Sequence, residues 1–138
     1  MALVRLNWIR YMYLGNIVGA GVPGFLVTFF PRFAETYLFG AAPQDRMIFG
    51  VAGSIWLAIG LLSALGLRYP LPFVSIFMVQ IVYKVIWILA VGLPLTLQGD
   101  PRALPFVIFF VLVTAGFVYA VPFRYLFGQG AAVSVRAG

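Results

Sequence analysis

Lys84 is the only lysine of the chain, and it lies inside the apolar run Leu71-Pro72-Phe73-Val74-Ser75-Ile76-Phe77-Met78-Val79-Gln80-Ile81-Val82-Tyr83-Lys84-Val85-Ile86-Trp87, which continues to Leu97. An ammonium at the centre of a membrane helix costs about 2.5–3.5 kcal/mol on insertion scales. The run places it about thirteen residues from either end, about 20 Å of helix at 1.5 Å per residue, which is beyond the reach of the stem alone. Lys84 therefore needs a polar partner, a water-filled pocket or a neutral state. Gln80 stands one turn before it, Tyr83 beside it and Trp87 three residues on, so Gln80, Lys84 and Trp87 share one helix face. Three other apolar runs carry unusual residues at a similar depth: Trp56, Thr114 and Pro23. A proline inside a helix frees the carbonyl four residues back, here that of Gly19. The expectation is one midplane layer of Lys84, Gln80, Tyr83, Trp87, Trp56, Thr114 and the Gly19 carbonyl. Such a layer could hold an anion, a quinone-like headgroup or a lipid. It could equally be a clasp in which Lys84 locks helices together, or a contact to an acid on another subunit. The residues favour the clasp or the subunit contact over a ligand pocket.

Most other chemistry is excluded by composition. The sequence contains no cysteine and no histidine. It can build no disulfide, thiolate nucleophile or cluster. It offers no imidazole to haem, zinc or copper and no histidine general base. Its three acids, Glu35, Asp45 and Asp100, all fall outside the apolar runs, whereas a proton-coupled pump keeps a carboxylate within the membrane. Gly19-Ala20-Gly21-Val22-Pro23-Gly24 matches G-x-G-x-x-G by letter, but no strand precedes it and the stretch lies in an apolar run. The expectation is a non-enzyme with no cofactor ligated by its side chains, though a bound lipid or pigment is compatible with the sequence.

The elements that must position these residues follow from composition. The 138 residues are 64% hydrophobic and 9% charged, with mean hydropathy +1.08. A soluble domain carries about 25% charged residues. Four apolar runs, about 14–30, 47–67, 71–97 and 103–123, are long enough to cross a hydrocarbon core of about 30 Å. They are apolar on every side rather than alternating, which selects helices over barrel strands. The predicted fold is all-α, an integral membrane four-helix transmembrane bundle forming a single domain over 1–138. Residues 1–13 read as an interfacial lead-in and 128–138 as a loose tail. The one long connection, Pro31 to Arg46, carries Phe33 and Tyr37 at i, i+4, which suits a short interfacial helix over Pro31 to Phe39 ending at Gly40. No internal repeat stands out. Gly15 and Gly19, Ala20 and Gly24, Gly50 and Ser54, and Gly60 and Ala64 pair small residues at four-residue spacing, which suits close packing inside the bundle.

Net charge is +6. The cations stand singly and form no phosphate track, so no nucleic-acid partner is expected. An even number of spans places both termini on one side, with Arg5, Arg10, Arg68, Arg124 and Arg136. The other side has Arg32, Arg46 and Arg102 with all three acids. The excess of arginine predicts cytoplasmic termini in a bacterial inner membrane.

The stretch from Phe77 to Pro94, built around Gln80, Tyr83, Lys84 and Trp87, and the ending Val121-Pro122-Phe123-Arg124-Tyr125-Leu126-Phe127 resemble small, uncharacterised bacterial four-helix membrane proteins of the DoxX-like kind in size and topology. The resemblance covers about half the chain and implies no activity. The expected function is a non-catalytic accessory or structural subunit of a larger membrane complex, respiratory or photosynthetic. The alternative is a small homo-oligomeric transporter or channel with an anion or amphipathic ligand near Lys84. The partners expected are membrane lipids and either other membrane subunits or further copies of the chain.

Overall fold

The computed structural model describes residues 4–128 and 135–136. The fold is all-α, with four helices long and apolar enough to cross a membrane: α1 (Leu6–Phe29), α3 (Arg46–Arg68), α4 (Ile76–Leu97) and α5 (Ala103–Ala120). Two shorter helices are α2 (Pro31–Leu38) and α6 (Phe123–Phe127). A minimal parallel pairing joins Val4–Arg5 to Val135–Arg136. Of the expected lead-in, residues 1–3 lie outside the described residues. So do 129–134 and 137–138 of the expected tail.

Helix ends differ from the hydropathy boundaries for local reasons. The first helix starts at Leu6 rather than near Leu14, because Asn7, Arg10 and Tyr11 lower the hydropathy without breaking the helix. The lead-in is thus largely the first turns of α1. The third starts at Ile76 rather than Leu71. Pro70 and Pro72 have no amide N–H, and each disfavours helical backbone at the residue before it. The fourth ends at Ala120, with Val121 extended ahead of Pro122. Asp45 caps α3, its carboxylate accepting from the amides of Met47 (3.1 Å) and Ile48 (2.9 Å).

The chain divides into two compact units, Arg10–Phe73 and Val74–Gly138 with the residues up to Ile9. In the first, α1 and α3 pack through glycines. A Cβ on Gly21 would stand 3.1 Å from the Cα of Gly60, and one on Gly24 would stand 2.7 Å from the Trp56 carbonyl carbon. Such backbone proximity is how membrane helices gain contact without a hydrophobic driving force between them. Of the paired small residues, Ala20, Gly24 and Gly60 are buried, while Gly15 and Gly19 are exposed with open space around them. Buried polar contacts reinforce the seam: Asn16 donates to Ser63 Oγ at 3.1 Å, and the Tyr13 hydroxyl donates to the Pro70 carbonyl at 2.7 Å. Val27, Ala34 and Phe49 form an apolar cluster where α2 meets α1 and α3.

In the second unit α4 packs on α5, with Phe77 against Phe117 at 5.1 Å between ring centroids. Arg5 donates to the Tyr119 carbonyl (3.0 Å) and lies over the Tyr119 ring, and the Trp8 indole donates to the Gly116 carbonyl (3.2 Å). Arg5 thereby places a cation at the C-terminal, negative end of α5.

The two units share a design feature that the sequence conceals. α1 contains a five-residue π-helical turn, Ile17–Gly21, and α4 contains another, Ile88–Gly92. In each, the amide after the turn donates five residues back, Val22 to Ile17 and Leu93 to Ile88. A proline follows at once, Pro23 or Pro94. The wider turn is one way a membrane helix accommodates a proline without leaving polar backbone stranded. Ile17-Val18-Gly19-Ala20-Gly21-Val22-Pro23 and Ile88-Leu89-Ala90-Val91-Gly92-Leu93-Pro94 are therefore a local repeat, where the hydropathy pattern suggests none.

Candidate functional site

Lys84 lies eight residues into α4, about 12 Å from the helix start, and its residue surface is 4% exposed. Because α4 begins at Ile76, Lys84 is nearer one end of its helix than the apolar run implies. Helical side chains lean toward the N-terminus, and Lys84 follows that rule. Its Nζ donates to Gln80 Oε1, one turn back, and to the Tyr83 hydroxyl at 2.8 Å. Gln80 is 1% exposed.

The remaining surroundings of the amine are aromatic. Nζ stands 4.3 Å from the Tyr83 ring centroid, 5.2 Å from that of Phe110 and 5.4 Å from that of Phe117. Phe110 and Phe117 come from α5, so α4 contributes the hydrogen-bond acceptors and one ring, and α5 two further rings. Desolvated cation–π contacts are worth about 2 kcal/mol or more. The arrangement ties α4 to α5 through one side chain.

Trp87 meets α5 on the next turn. Its ring stands 5.0 Å from Phe110 and 6.4 Å from Phe106, both edge-on. It has room there because Gly92 carries no side chain: a Cβ on Gly92 would stand 2.6 Å from both the Trp87 ring and a Val107 methyl. Thr114 lies between Phe110 and Phe117 in sequence, at i+4 from one and i−3 from the other. Its Oγ1 is buried and has no hydrogen-bond partner.

Five of the seven expected site residues, Lys84, Gln80, Tyr83, Trp87 and Thr114, thus belong to the α4–α5 unit. Trp56 and Gly19 belong to the Arg10–Phe73 unit. There the Trp56 ring stacks on Phe39, with 6.3 Å between centroids, and packs against the Val27, Ala34 and Phe49 cluster. Gly19 sits exposed within the π-helical turn. Phe110 and Phe117 enter the site without having been expected there. The signal available is their i, i+4, i+7 register with Thr114.

Among the described residues no acid contacts Lys84. Among the described residues the ion pair present is Arg102 with Asp100, at 2.8 Å in the turn between α4 and α5. Arg102 donates from its side chain and its backbone amide to the Asp100 carboxylate, which holds that carboxyl down at about 2. Asp45 is the cap of α3. Among the described residues no group of three or more His, Cys, Asp or Glu side chains converges to hold a metal ion. Comparison with protein-family models, with curated proteins and with solved structures finds no match.

Proposed function

We propose that the chain is a non-catalytic subunit of a larger membrane assembly and acts by contact. The carrying observation is how its polar and apolar groups are distributed. Lys84 and Gln80 are closed inside the α4–α5 pair, and Asn16 and Ser63 inside the α1–α3 pair. What the middle of each span leaves uncovered is mainly apolar: Val18 and Val22 on α1, Val51 and Ile55 on α3, Val82 and Ile86 on α4, Ile108 and Leu112 on α5; the exposed Ser54 on α3 turns its hydroxyl to the Gly50 carbonyl. A carrier or an enzyme presents polar groups to a substrate at an accessible site. These helices present hydrocarbon, which suits lipid and the helices of neighbouring subunits. The rim of exposed aromatics, Phe29, Phe30, Phe33 and Tyr37, suits the membrane–water interface.

The arginine excess on the side of the termini supports a cytoplasmic placement of both ends in a bacterial inner membrane. The test is the native mass and absorbance of the protein, gently solubilised from its own membranes. Co-migration with other subunits is the expected result. A colourless homo-oligomer that carries solute flux in vesicles would overturn the proposal and favour transport.

A further inference from the structure

We propose that the Lys84 cluster binds a small monovalent anion of halide size. The argument is a count of donors and acceptors. A charged ammonium has three hydrogens to donate and accepts none. Gln80 Oε1 and the Tyr83 hydroxyl take two of them. The Tyr83 hydroxyl accepts in that bond and keeps its own proton to give. Thr114 Oγ1 is buried without a partner. It sits on the strip of α5 bounded by Phe110 and Phe117, the two rings that face the same amine.

By its helical register with Phe110 and Phe117, Thr114 falls on the same stretch of the α4–α5 seam as the amine; even if its oxygen accepts the third ammonium hydrogen, the Tyr83 and Thr114 protons remain to be given, so donors are in excess. The charge balance has the same sign. Lys84 brings one positive charge, and Asp100, the acid of this unit, is engaged by Arg102. A buried group left with unmet donors carries its desolvation penalty uncompensated, the more so when it is charged. One anion corrects both deficits at once. Because Lys84 is 4% exposed, the geometry selects a single-atom ion over a carboxylate or phosphate headgroup entering from the bilayer. The inference is independent of whether the chain works as a subunit.

The test uses the full chain, purified in a neutral detergent. Heat unfolding is followed as chloride replaces gluconate at constant ionic strength. The midpoint rises saturably with chloride and with bromide, and the folding equilibrium shifts about 100-fold when the halide stands at about 100 times its Kd. Thr114→Ser keeps the response, Thr114→Val weakens halide affinity at least about tenfold, the loss of one charge-assisted hydrogen bond, and Lys84→Met abolishes the response. If Lys84→Met does not fold, the Thr114 pair decides. Equal midpoints in chloride and gluconate overturn the proposal, since water or a neutral amine would then suffice. An undiminished response in Thr114→Val overturns it too, by placing the ion elsewhere. Stabilisation that follows anionic lipid in nanodiscs at fixed chloride assigns the site to a headgroup and overturns the halide.

Discussion

Gly24→Ala tests whether the α1–α3 seam rests on backbone contact. The added Cβ would stand 2.7 Å from the carbonyl carbon of Trp56 and 2.8 Å from the carbonyl oxygen of Gly53, and would also meet the amide nitrogen of Leu57. All three are main-chain atoms of α3, so no rotamer change relieves the clash. Carbon atoms rest at about 3.5–4.0 Å, so the helices must part locally by about 1 Å. A gap of that size forfeits about a quarter to a half of the dispersion energy of each facing atom pair. Overpacking of a closed seam costs about 1–3 kcal/mol. Gly15→Ala is the matched control. Gly15 lies in the same helix, is exposed, and has nothing within 4 Å of the added carbon. Its replacement is neutral or stabilises by up to about 1 kcal/mol through helix propensity. The assay is reversible unfolding in mixed micelles of increasing denaturing detergent, read by tryptophan fluorescence. If Gly24→Ala unfolds within about 0.5 kcal/mol of Gly15→Ala, less than the overpacking cost, close backbone approach does not hold this unit together.

Three further outcomes follow from the same geometry. Gln80→Leu costs more stability than Lys84→Met in halide-free buffer, by about 1–3 kcal/mol, because the first leaves a buried ammonium hydrogen without its acceptor and the second removes the ammonium; chemical unfolding of the two variants side by side checks the order, and equal losses would count against Gln80 as a ligand of the amine. Carbon-detected NMR should find the Asp100 carboxyl titrating near 2, with Arg102→Ala raising it only part of the way toward about 3.9, because the backbone amide of residue 102 still donates to it; since the folded value is depressed, the turn's contribution is complete above the unfolded pKa and is lost as pH falls toward 2, and an unchanged titration in Arg102→Ala would show that the side-chain pair does not form. Asp45→Ala removes the acceptor for the Met47 and Ile48 amides and lowers stability by about 1 kcal/mol, whereas Asp45→Asn, which keeps the acceptor, restores most of it in the same assay.

The four spans were legible because an apolar run longer than about 18 residues has few other readings. Their ends were less so. Hydropathy cannot see that Pro70 and Pro72 keep Leu71 to Ser75 out of the helix, nor that Asn7 and Arg10 continue one. The half of the site on α4 was legible as well, since Gln80, Tyr83 and Lys84 are related by helical spacing alone. On α5 Thr114 was legible by depth, but Phe110 and Phe117 were not. Depth in the membrane can be read from position along a span, but the direction a residue faces about the helix axis depends on which helices pair. Thr114 and Trp56 stand at similar nominal depths, yet Thr114 shares a unit with Lys84 while Trp56 stacks on Phe39. The π-helical turns also rotate everything that follows them by a part of a turn, and nothing in an apolar sequence announces where the ladder widens.

Lys84 shows why burial and function need separate arguments in such a chain. Its charge could have been read as a transport site because it is costly, and cost implies use. The structure supplies a second way to meet that cost: Gln80 and Tyr83 on its own helix, with the faces of Phe110 and Phe117 across the seam. An amine held by four side chains of one helix pair is poorly placed to hand a solute across a membrane, because release would require undoing the contact that joins α4 to α5. The same closure makes it suited to a resident ion, which need never leave while the pair stays folded. If halide stabilises the protein without any flux in vesicles, the cluster is a fastening, and the exposed apolar faces of the four spans are where its partners are to be sought.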